Sequence, residues 1–66
     1  MLVKQLISLI DRNETNRVML FPTQGQLGIS NGNFISMDLN AERLQDVYNE
    51  EIISVFVYNN ILAITI

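Results

Sequence analysis

The sequence predicts a small two-layer α+β domain with elements in the order α-β-β-β-α-β-β: a five-stranded, mostly antiparallel sheet with two helices on one face. Three observations carry this reading. Apolar residues recur at helical spacing near both 2–10 and 41–48. Between and after those segments they alternate along β-branched and aromatic runs. Two dipeptides, Asn31-Gly32 and Asn59-Asn60, stand where hairpin turns belong. The pattern leaves open whether the sheet curls toward a small barrel.

The first helix rests on Leu2, Val3, Leu6, Ile7, Leu9 and Ile10, which fall on one arc at 100° per residue, with Asn13 as a left-handed terminator. "RVMLF" then reads as a strand stopped by Pro22, with Val18 and Leu20 on one face and Met19 and Phe21 on the other. Both faces are apolar, so this strand is expected inside the sheet. A hairpin about Asn31-Gly32 would pair Ile29 with Phe34 and Gly28 with Ile35. It would also account for Gly25, Gly28 and Gly32, which lack the spacing and the Lys-Ser/Thr ending of a phosphate loop. The second helix has Ala41, Leu44, Val47 and Tyr48 on its apolar side.

The closing run "IISVFVYNNILAITI" reads as a hairpin about Asn59-Asn60, with pairs from Tyr58–Ile61 outward to Ser54–Thr65 and Ile53–Ile66. One face is wholly aliphatic: Ile53, Val55, Val57, Leu62, Ile64 and Ile66. The other holds Ser54, Phe56, Tyr58, Ile61, Ala63 and Thr65. With both helices placed on the aliphatic side, nothing in the chain is left to cover the mixed one.

Sixty-six residues make a single domain, 1–66, whose core is marginal by size alone. With no Cys and no His, disulfides and the commonest zinc sites are excluded, and so are the usual general base and thiol nucleophile. No cofactor is implied, and the expectation is a protein without enzymatic activity. The apolar closing run is shorter than the roughly 20 residues of a membrane span and is interrupted by Asn59-Asn60, which points to the cytoplasm rather than to a membrane. A net charge of −3 with scattered Lys4, Arg12, Arg17 and Arg43 argues against direct nucleic-acid binding.

Two groups stand out as candidate sites. Glu42, Asp46 and Glu50, at i, i+4 and i+8, form an acidic stripe on the expected α-helix. Such a stripe reads first as a solvated face, second as a contact for a basic surface on a host protein, and last as a metal site. Phe56, Tyr58 and Ile61 on the uncovered face, with Ile66 on a last strand taken as a free edge, are the candidate oligomer interface. The function expected is that of a small acidic protein-binding module, an inhibitor or adapter of the kind phages and mobile elements encode, working as a homo-oligomer. The alternatives are an accessory protein for assembly and a small-molecule sequestering protein with pockets between subunits.

Overall fold

A computed structural model describes all residues, Met1–Ile66. The chain forms one α-helix, α1 (Val3–Ile7), and four strands, β1 (Arg17–Phe21), β2 (Ile35–Asp38), β3 (Ser54–Tyr58) and β4 (Ile61–Thr65), with a 3₁₀ helix at Glu42–Val47. The strands make one mixed sheet in the order β2-β1-β4-β3, with β1 and β4 parallel at its centre. This corrects the five-stranded, mostly antiparallel sheet expected from the sequence, since the strand before Asn31 does not form.

Its backbone explains why. Positive φ at Gly25 (74°), Leu27 (60°) and Gly28 (73°) coils that segment into a tight turn, a conformation no extended strand holds. Asn31-Gly32 does reverse the chain, but only Gly32 has positive φ (93°), and the Asn33 N–H donates to the Ser30 carbonyl at 3.0 Å. That is the type II pattern, which splays its flanks where type I′ would pair them. Ile35 therefore faces Leu20 of β1 instead of Gly28.

The last hairpin keeps the register read from its sequence. Asn59 and Asn60 have φ of 50° and 64°, as type I′ requires, and the five pairs from Tyr58–Ile61 to Ser54–Thr65 all form. The sixth, Ile53–Ile66, does not. The Ile53 N–H donates to the Thr65 carbonyl at 2.8 Å, so Ile53 and Ser54 both face Thr65, as in a β-bulge. Ile66 turns toward β1: its N–H donates to the Phe21 carbonyl at 3.1 Å, and its carbonyl accepts the Thr23 hydroxyl at 2.7 Å.

The core lies on one face of the sheet. Val18, Leu20, Met37, Ile64 and Ile66 pack there against Val3 and Ile7 of α1 and against Leu39, Leu44 and Val47. Both helical elements are shorter than expected. In α1 the Gln5 side chain accepts the Leu2 N–H at 2.7 Å, and the Val3 and Lys4 N–H groups donate to the carbonyls of Glu50 and Tyr48, each at 3.0 Å. These bonds satisfy donors that a helix start leaves free. Leu9 lies beyond the helix and is exposed. Asn13 is not left-handed; its N–H donates to Asp11 Oδ1 at 2.9 Å in a turn that redirects the chain.

At Glu42–Val47 the expected α-helix gives way to 3₁₀ geometry: the N–H groups of Leu44, Tyr48 and Glu50 donate to Ala41, Gln45 and Val47, each three residues back. Neighbouring elements hold both ends of this segment. The Leu39 N–H donates to the Asn16 carbonyl at 2.8 Å, and α1 occupies the carbonyls of Tyr48 and Glu50. The repeat Ala41, Leu44, Val47 fits a period of three as readily as one of 3.6. Elements this short leave β3 uncovered. Of the expected aliphatic face, Ile64 and Ile66 are buried, whereas Ile53, Val55 and Val57 are exposed. No helix is long and apolar enough to cross a membrane.

Because Asn60 already sits at positive φ, Asn60→Gly is expected to be neutral or to stabilise the protein by a few tenths of a kcal/mol. Urea melts check this; a loss above about 1 kcal/mol would contradict the turn geometry.

Candidate protein-interaction surface

Strand alternation places Met19 and Phe21 of β1, Phe56 and Tyr58 of β3 and Ala63 of β4 on the face opposite the core, and Phe34, just before β2, joins them. The aromatic rings touch. Phe21 is the hub, with ring centroids 5.1 Å from Phe34, 5.3 Å from Phe56 and 5.7 Å from Tyr58, and Phe34 lies 5.7 Å from Tyr58. The tilted and edge-on arrangements are those that ring quadrupoles favour.

Phe34 flanks one outer strand and Tyr58 lies on the other, so the rings lean in from both sides and meet over the centre of the sheet. Ala63 makes this possible. Paired with both Met19 and Phe56, it is the residue β4 sets beneath the rings, and it is fully buried. A larger side chain there would push the β1 and β3 rings apart. Met19 is buried beside it, while Phe34, Phe56 and Tyr58 remain 45%, 38% and 40% exposed. The only charged residues that alternation assigns to this face are Arg17 and Asp38, cross-strand neighbours at one end, and Arg17 Nε donates to Ser36 Oγ at 3.1 Å.

Beside the aromatic layer runs the outer edge of β3. All five of its residues are exposed, and "SVFVY" contains neither a charge nor a proline. Native proteins usually blunt such edges with one or the other.

The acidic residues have a different setting from the one their spacing suggests. At 120° per residue, 3₁₀ geometry turns Asp46 about 120° away from Glu42, and Glu50 lies beyond the end of the helix at Val47, so the three do not form the stripe an α-helix would give. Glu42 and Asp46 are exposed, Glu50 is half-buried, and none of the three is in an ion pair. Arg43, expected beside them, donates through Nη2 to the Leu27 carbonyl at 2.8 Å. No cluster of three or more carboxylates is placed to hold a metal ion.

Of the interface candidates, Phe56 and Tyr58 belong to the aromatic layer and Ile61 lies half-buried opposite Tyr58. Ile66 is in the chain's own core at 2% exposure, and the strand before it, β4, is internal; the outer strands are β2 and, on this side of the sheet, β3. Phe21 and Phe34 were missed as members of the surface. Phe21 could have been placed on it once β1 was known to lie beside β4. Comparison with known proteins finds no family model, no curated protein and no solved structure that matches the chain.

Phe21→Ala is expected to cost about 3 kcal/mol, because it removes the ring common to three of the four contacts, whereas Phe34→Ala should cost about 1 kcal/mol. Near-UV circular dichroism and urea melts of the two variants test this order. Replacing Glu42, Asp46 and Glu50 together by Gln should move stability by less than about 0.5 kcal/mol, since no pair depends on them. Unfolding of that triple variant would reveal a bound partner or ion.

Proposed function

We propose that this chain is a non-enzymatic protein-binding module of the inhibitor or adapter kind, acting in the cytoplasm as a homo-oligomer. The observation supporting this reading is the aromatic layer of Phe21, Phe34, Phe56 and Tyr58, half exposed over a buried floor of Met19 and Ala63. Aromatic side chains bring large contact area at small entropic cost, and contact surfaces are enriched in them. Here their own packing holds them in place, so little order remains to be imposed when a partner binds. The scarcity of charge on this face suits the apolar centre of such a contact, with Arg17 and Asp38 at its rim. Glu42 and Asp46 sit on a 3₁₀ helix and Glu50 lies past its end, without the α-helical stripe their spacing suggests, so this reading places the partner on the aromatic face.

The test compares wild-type protein with Phe34→Arg, each immobilised as bait in lysate of the native host, followed by rebinding of any captured protein in purified form. Phe34 sits before β2 and is 45% exposed, so a charge there should leave the fold intact. A partner that binds the wild type and loses at least tenfold in affinity for Phe34→Arg is the expected outcome. Equal binding to both would remove the aromatic face from the interaction. A small molecule co-purifying with the chain would favour the sequestering alternative.

A further inference from the structure

The outer edge of β3 is bounded on both sides. At one end the Ile53 N–H is already committed to the Thr65 carbonyl, and at the other Asn59 enters the turn with φ of 50°. Between them the hairpin fixes which backbone groups are free. A two-residue turn is closed by a hydrogen-bonded pair, here Tyr58–Ile61, so Phe56 and Ser54 also bond inward while Val55 and Val57 direct N–H and C=O away from β4.

We infer that β3 pairs antiparallel with β3 of a second copy, about a twofold axis at Phe56, joining two sheets into one of eight strands. The inference rests on the homo-oligomeric part of the proposed function and assigns its seam. Three arguments select this occupant and this register. First, the free groups are self-complementary: with the axis at Phe56, Val55 and Val57 of each copy exchange both N–H···O=C bonds with Val57 and Val55 of the other. An axis at Val55 would need the Ile53 N–H, which is taken; an axis at Val57 would need Asn59, which is not extended.

Second, a symmetric pair sets the strand against a copy of itself, here Phe56 against Phe56, Val55 against Val57 and Ser54 against Tyr58, and an uncharged strand brings no like charges together. Third, apolar surface is available along this edge. Ile53, Val55, Phe56, Val57 and Tyr58 are 64%, 45%, 38%, 72% and 40% exposed. They present on the order of 500 Å² of exposed surface per copy, an upper bound on what pairing covers, against the roughly 1,000 Å² in total of a specific interface. Pairing also sets the two Phe56 rings side by side, making the aromatic layers of both copies continuous.

Sedimentation equilibrium of the full chain with two substitutions tests the seam. The wild type should be a dimer at micromolar concentration. Val57→Pro deletes an N–H that points to solvent in the single chain, a position where edge strands tolerate proline. It should yield a monomer with an unchanged far-UV spectrum, while Tyr58→Arg remains dimeric. A monomeric wild type overturns both the seam and the homo-oligomeric reading. A dimer that survives Val57→Pro and is lost in Tyr58→Arg overturns the seam alone, in favour of stacked aromatic faces.

If Val57→Pro unfolds, disulfide trapping decides, since the chain has no cysteine of its own. Residues facing each other across the axis have Cα atoms about 4.5 Å apart, within disulfide reach, whereas two Val57 positions lie diagonally beyond about 7 Å. Phe56→Cys should cross-link to a dimer under mild oxidation and Val57→Cys should not. The reverse order, or equal trapping, overturns the seam.

Discussion

The parallel pairing of β1 with β4 is the constraint on which the rest of this structure depends. Two antiparallel pairs, β2 with β1 and β3 with β4, meet only there within the sheet, through Met19–Ala63, Leu20–Ile64 and Phe21–Thr65. On the core side this seam brings together Leu20 and Ile64, both fully buried; on the other it sets Ala63 beside Met19. One junction therefore closes the hydrophobic core and floors the aromatic layer. Parallel strands are usually buried on both faces, and here the rings take the place of a second layer of helices.

The seam also decides what remains outside. With β1 and β4 at the centre, β3 becomes an outer strand, and the two short helical elements reach across β2, β1 and β4 without covering it. Aliphatic residues that alternation would send into the core are left in solvent as a consequence of strand order. The N-terminal segment adds a tie of its own: the Leu2–Glu51 bridge and the bonds from α1 to Tyr48 and Glu50 secure the connection between β2 and β3. A chain with a marginal core gains from such backbone bonds, because each satisfies groups that burial would otherwise leave unpaired.

The final hairpin was legible in the sequence because its information is local: a two-residue turn and strict alternation specify register without reference to the rest of the chain. Core membership was legible for the same reason at Val18, Leu20, Leu44 and Val47, whose apolar spacing holds in the real elements as in the expected ones. What failed depended on distant residues. Asn31-Gly32 is a turn in either reading, but the segment before it follows a left-handed path through Gly25, Leu27 and Gly28 and offers no strand, and β2 found its partner in β1. The acidic spacing of Glu42, Asp46 and Glu50 implies a stripe only for an α-helix, and neighbouring elements imposed 3₁₀ geometry. Half of the candidate surface, Phe56 and Tyr58, came from local alternation. The other half, Phe21 and Phe34, needed the parallel seam, which no local pattern announces.

The seam also bears on how the chain is made. Its partners Met19 and Ala63 are 63 − 19 = 44 positions apart. At about 5–20 residues per second, a ribosome takes roughly 2–9 s to travel that far. Throughout that interval Val18, Met19 and Leu20 have no strand to lie against on the β4 side. The C-terminal hairpin, by contrast, closes within about 1–10 μs of being available. Completion of the sheet thus waits on one late strand, and a nascent chain stalled before Ile61 would hold β1 with its β4 side unpaired, an open template for misassembly.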